Sequence, residues 1–321
     1  MELFHRVLGA HPINGTLTPL VILHGLLGSS DNWQTLGLQW AADRPVILID
    51  QRNHGRSPHH PNHSYSDMVL DLLDTLDALG VEKTDLLGHS MGGKTVMYFA
   101  DRYPERCRSL IVADMAPVAY PPHHLPLFDA LAALDLDAFD RRGEVDAALA
   151  KNVPEPGVRQ FLLKGLYRDE SKRFAWRFNL QVLRRHLADM TGHRPLGEIA
   201  VSAMGIYGTR SDYVVGRGME AMKNHFVHLQ TQALEAFKQP WQHDLPDQTA
   251  GDPRPGTKMR ACAERNRRGA VLKQVEGSGV GEAILVPVAG AEHEKHPVFG
   301  GEVDAAKAVR LGDPSRRHTD G

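Results

Sequence analysis

The sequence predicts an α/β fold on a mainly parallel sheet, and three observations carry that prediction. Short apolar runs recur before Met115, each ends at Gly or Asp, and helix-period segments lie between them. The runs are apolar at successive positions, as strands covered on both faces require, and crossover helices provide that cover.

The runs are "LVILHG" (Leu20–Gly25), "VILID" (Val46–Asp50), "DLLG" (Asp85–Gly88) and "LIVAD" (Leu110–Asp114). Between the second and third, "SYSDMVLDLLDTLDALG" sets Met68, Val69, Leu72, Leu73, Leu76 and Leu79 at steps of three and four, one face of a helix. Ser64 or Ser66 can cap its start and Gly80 its end. From Pro117 the pattern changes. "APVAYPPHHLPL" is a proline-rich exit, followed by helical segments from Phe128 to Met190. Strand-like runs resume at "AMGIYG" (Ala203–Gly208) and "FVHLQTQALEA" (Phe226–Ala236), with a helix starting across Gly216–Lys223. The expected organisation is a sheet domain over residues 1–118 and 198–236, interrupted by a helical insertion at 119–197. Residues 237–321 read as a loosely ordered tail, because from Gly251 onward Phe299 is the single aromatic residue.

A chain of 321 residues, 42% hydrophobic and 24% charged, can bury a sizeable core. Its formal net charge of -2 argues against a nucleic-acid partner, which demands clustered excess Lys and Arg. The N-terminus lacks a secretory pattern, and no apolar stretch approaches the roughly 18 residues of a membrane span. The expectation is a soluble, cytoplasmic protein. Cys107 and Cys262 have no metal-ligand spacing and read as inert thiols.

The chemistry lies in "LLGHSMGGKT". Gly88-His89-Ser90-Met91-Gly92 is a G-x-S-x-G sequence between a buried strand and a helical pattern, which is the setting of a nucleophile elbow. Such a turn lifts Ser90 above the sheet at a helix N-terminus. A serine nucleophile also needs an oxyanion cradle, a base and an acid. "LHGLLGS" after the first buried strand offers the Leu26 backbone N–H beside that of Met91 as the cradle.

"VILHGLLGSSDNW", "LIDQRNHGRSP", "LLGHSMGGKTVM" and "LIVADMAPVAY" together resemble the signatures of α/β-hydrolases, in particular the YbfF-type esterases that act on acyl esters and acyl-CoA thioesters. The likeness runs through "QFLLKGLYRDESKRFAWRFNL", similar to that family's helical cap, and covers residues 1–236. It implies an α/β-hydrolase fold with a cap, Ser90 as nucleophile, Leu26 and Met91 N–H groups as oxyanion hole, a small-molecule acyl ester or acyl-CoA substrate, no metal and no cofactor. α/β-Hydrolases usually place the acid where Asp212 stands, whereas the YbfF-type branch resembles Asp114; Asp114 is favoured and Asp212 kept. The histidine departs from the family. Members follow the last strand with a Gly-His loop, but here "QALEA" runs directly into "FKQPWQHDLPDQTAGD". His243 and His293 are the substitutes to weigh. The alternative is a catalytically impaired hydrolase-fold protein without the triad histidine.

His59, His60 and His63, and His123 with His124, read as solvated loop residues without a full metal-ligand set. His89 reads as packing near the elbow. Phe174, Trp176, Phe178 and Leu180 alternate in the insertion with Arg173 and Arg177, either as the cap's own packing or as an acyl channel with Arg near a CoA phosphate.

Overall fold

The computed structural model describes residues 1–234. Nine strands are described: β1 (His5–Leu8), β2 (Leu20–Leu23), β3 (Val46–Ile49), β4 (Thr84–His89), β5 (Cys107–Ala113), β6 (Leu166–Arg168), β7 (Phe174–Trp176), β8 (Ser202–Gly208) and β9 (Leu229–Leu234). The α-helices are α1 (Gln34–Trp40), α2 (Tyr65–Ala78), α3 (Met91–Arg102), α4 (Leu125–Ala132), α5 (Arg142–Leu149), α6 (Pro156–Lys164), α7 (Leu180–Arg185), α8 (Leu187–Thr191) and α9 (Arg217–His225). None of them is long and apolar enough to cross a membrane.

Seven strands form one sheet in the order β1-β3-β2-β4-β5-β8-β9, with only β1 antiparallel to its neighbour. β2, β3 and β4 are buried along their whole length, which accounts for their unbroken apolar sequences. Helices α2 and α3 cover them. Leu72, Leu76, Val96 and Phe99 pack in one core with Val21, Ile47 and Leu86. Ser64 caps α2, accepting from the Asp67 N–H while the Asp67 carboxylate reaches back to the Ser64 N–H.

The segment between β5 and β8 holds α4 to α8 and a two-stranded hairpin of β6 and β7. The sequence predicts helices alone there; the hairpin is a correction, made by the alternation at Phe174 and Trp176 that suits a pleat. Leu131, Leu149, Leu162, Phe178, Leu183 and Leu187 form the core of this segment, and the same cluster includes Leu26, Leu27, Tyr65 and Met91 from the sheet side. Its apolar face thus closes over the edge at which β2 and β4 end. The tail, and with it Cys262, His243 and His293, lies outside the described residues.

Candidate active site

Ser90 follows β4 and precedes α3, with φ 52° and ψ −115°, a strained backbone for a residue with a side chain. The glycines make the turn passable. A Cβ at Gly88 would lie 2.2 Å from the Gly92 carbonyl oxygen, and one at Gly92 would lie 2.5 Å from that of Leu23. Strand and helix therefore approach more closely than any side chain allows. The Ser90 N–H donates to the Ala113 carbonyl at 3.1 Å, which fastens the elbow to the tip of β5.

The β2 loop lies against this turn. A Cβ at Gly25 would stand 3.3 Å from the Ser90 Cβ. Leu27 has φ 63°, its N–H donates to His54 Nε2 at 3.0 Å, and the Gly28 N–H donates to the Gly25 carbonyl at 3.1 Å. These bonds leave the Leu26 N–H uncommitted among the described residues. Met91 opens α3, where the first N–H groups have no intrahelical acceptor. Both residues line a cleft together with Ser90.

That cleft is mostly apolar. Tyr65, Met115 and Tyr213 contribute from the sheet domain and the loops beside it, and Tyr120, Pro121, His124, Leu187 and Met190 from the inserted segment. Three polar links hold its walls. The Tyr65 hydroxyl donates to the Met190 carbonyl at 2.9 Å, and the Tyr120 hydroxyl to the Tyr213 carbonyl at 2.7 Å. Lys94, one turn beyond Ser90, is buried; its Nζ donates to the Gly192 and Thr191 carbonyls at 2.5 and 3.3 Å and sits 4.9 Å from the Tyr120 ring centre. Desolvation pushes its pKa down to about 7.

The two candidate acids are placed differently. Asp114 follows β5 with φ 51°, is 1% exposed, and its N–H donates to the Ile206 carbonyl at 2.7 Å. Asp212 is exposed. No imidazole among the described residues hydrogen-bonds the Ser90 hydroxyl. His89 is buried edge-on to Trp33, with ring centres 6.2 Å apart, and burial lowers its pKa to about 4.

Two expectations for histidines are corrected. His63 is fully buried rather than solvated, and His124 is half-buried and lines the cleft. Desolvation lowers them to about 3 and about 4, so both are neutral at pH 7. His124, Tyr120, Leu187 and Met190 are cleft residues that the sequence does not single out. Phe174 and Phe178 pack within the inserted segment, Arg177 stacks on Tyr167 with 4.4 Å to the ring centre, and Arg173 faces Asp137 and Asp169. None of these four lines the cleft with Ser90.

The comparisons agree with this architecture. Residues 18–184 match the family model described as the alpha/beta hydrolase fold. Esterase YbfF of Escherichia coli strain K12 is 37% identical over 198 residues, 61% of this chain and 76% of that protein. The sn-1-specific diacylglycerol lipase ABHD11 of Mus musculus is 40% identical over 182 residues, 54% of this chain and 59% of that protein. A marine microorganism esterase superposes with a TM-score of 0.70 at 32% identity, covering 74% of this chain and 92% of its own. With a parallel sheet, a strained serine turn at its C-terminal edge and esterases and lipases as homologues, the chain belongs to the α/β-hydrolase fold family.

Proposed function

We propose that the protein cleaves carboxylic esters or acyl thioesters of small molecules through an acyl-enzyme on Ser90. The Ser90 Oγ attacks the acyl carbonyl carbon, the Leu26 and Met91 N–H groups receive the oxyanion, and the alcohol or thiol leaves with a proton. Water then attacks the acyl-enzyme and frees the acid and Ser90. Asp114 is the acid that orients the base, and the apolar cleft receives the acyl chain. The chemistry requires a base, for which His243 and His293, both outside the described residues, are the candidates. The chemistry requires no cofactor.

The observation that carries the reading is the strained, glycine-flanked Ser90 at the floor of an apolar cleft, beside two backbone N–H groups. A panel of p-nitrophenyl esters and acyl-CoA thioesters tests it. Turnover by the full chain, abolished in Ser90→Ala, supports the reading; turnover unchanged in Ser90→Ala contradicts it.

One observation favours the second reading, a catalytically impaired family member that binds acyl ligands. The sequence runs from "QALEA" directly into "FKQPW" with no Gly-His loop between them, and loss of a triad histidine costs on the order of 10⁶ in turnover. A folded chain with no turnover on the panel supports this alternative.

A further inference from the structure

His54 stands outside the residues assigned above, yet its imidazole is mounted on both nitrogens. The Leu27 N–H can only donate, so His54 Nε2 accepts it through its lone pair at 3.0 Å. The hydrogen therefore sits on Nδ1, which donates to the Arg52 carbonyl at 3.0 Å. The ring is fully buried, between His24 with ring centres 5.1 Å apart and His63 at 5.6 Å. The mount itself is rigid. Arg52 makes a two-pronged bond to Asp71 at 2.5 and 2.8 Å, and the Asn53 carbonyl accepts the Asn179 N–H at 2.9 Å, at the start of α7. His24 holds the other end of the same loop: its Nε2 accepts the Gln51 N–H at 3.0 Å and its Nδ1–H donates to the Gly25 carbonyl at 2.8 Å.

We propose that His54 is a positioning residue for the oxyanion hole: its Nε2 fixes the left-handed turn at Leu27, and that turn holds the preceding Leu26 N–H in place beside Ser90. A leucine with φ 63° is intrinsically disfavoured. Without an acceptor for its N–H the turn relaxes toward an ordinary conformation and the Leu26 donor moves with it. The proposal rests on the reading of Ser90 as nucleophile.

The test uses the full chain with His54→Phe, which keeps the ring and removes the acceptor, and His54→Gln, which restores an acceptor oxygen. Loss of a single oxyanion donor elsewhere lowers kcat by about 10²–10³, and the same drop is expected for His54→Phe with KM within about threefold. His54→Gln recovers at least about tenfold of that loss, and Leu27 amide hydrogen exchange is accelerated in His54→Phe alone. If His54→Phe does not fold, His54→Asn replaces it, since its shorter side chain does not reach the Leu27 N–H. A folded variant lacking the acceptor with wild-type kcat overturns the proposal, whatever its exchange. A Ser90 left unmodified by an alkyl fluorophosphonate and no turnover in the wild type overturn the nucleophile reading instead. The proposal is then decided by Leu27 exchange, which unchanged in the variant also sinks it.

Discussion

Ser90 and Asp114 leave adjacent strands at the same level of the sheet: His89 and Ala113 are register partners, and the Ser90 N–H donates to the Ala113 carbonyl at 3.1 Å. Both residues also have positive φ, 52° and 51°. Two strained residues side by side at one sheet edge indicate a site that the fold maintains at a cost. Asp114→Asn should lower kcat by about 10³–10⁴, as loss of a triad acid does elsewhere, whereas Asp212→Asn, at an exposed position, should stay within about threefold. Steady-state kinetics of the two variants decide between the acids, and wild-type turnover by Asp114→Asn refutes the assignment.

The elbow's tolerance for side chains is tested at Gly92. A Cβ there would lie 2.5 and 2.7 Å from the Leu23 and His24 carbonyl oxygens, backbone atoms that cannot turn aside. Gly92→Ala should cost at least about 1–3 kcal/mol in chemical denaturation, by overpacking. An unchanged denaturation midpoint would mean that helix and strand are not held this closely.

Acid stability follows from the buried histidines. Burial lowers the pKa values of His24 and His54, and brings His63 to about 3, His89 to about 4 and His124 to about 4. The unfolded chain protonates these groups near pH 6.5 and the folded chain does not, so below pH 6.5 the unfolded state binds more protons. The histidines' contribution to stability is therefore full above pH 6.5 and falls toward pH 4, by about 1.4 kcal/mol per pH unit for each histidine still neutral. His63→Leu should show a slope shallower by one proton in urea titrations across that range, and parallel slopes would contradict it.

Lys94 gives the same signature in a higher pH window. Its carbonyl and aromatic partners favour the ammonium, but desolvation outweighs them and brings the pKa to about 7 from the ordinary 10.5. Between those values the unfolded state carries the extra proton, so stability rises with pH from about 7 to about 10.5 at up to about 1.4 kcal/mol per unit. Subtracting the Lys94→Met curve from that of the wild type should isolate this rise; a flat difference refutes it.

Arg52 and Asp71 form a buried pair, 5% and 1% exposed, that carries the loop bearing His54. Asp71→Ala leaves a buried guanidinium without its carboxylate and should cost about 3–5 kcal/mol, measured by thermal or urea unfolding. A change well under 1 kcal/mol would show that the loop stands without it.

The legible parts of this molecule are those whose cause is local in sequence. β2, β3 and β4 are apolar at every position because both faces are covered, and they are readable as such. β1 is not, since "HRVL" is short, half-exposed and at the edge of the sheet, where it pairs with β3. The cap hairpin escapes detection because each strand has three residues. At the site, Ser90, Leu26 and Met91 are legible because glycine spacing forces their turns. His124, Leu187 and Met190 reach the cleft only through tertiary folding, and His54 acts on a backbone amide 27 residues away, which leaves no local pattern.

The central claim, that Ser90 is an activated nucleophile, is tested most directly by reacting the folded full chain with an alkyl fluorophosphonate and mapping the adduct by mass spectrometry. The account predicts stoichiometric modification at Ser90 within minutes, absent in Ser90→Ala and slowed in Asp114→Asn. A well-folded wild type that remains unmodified would contradict it.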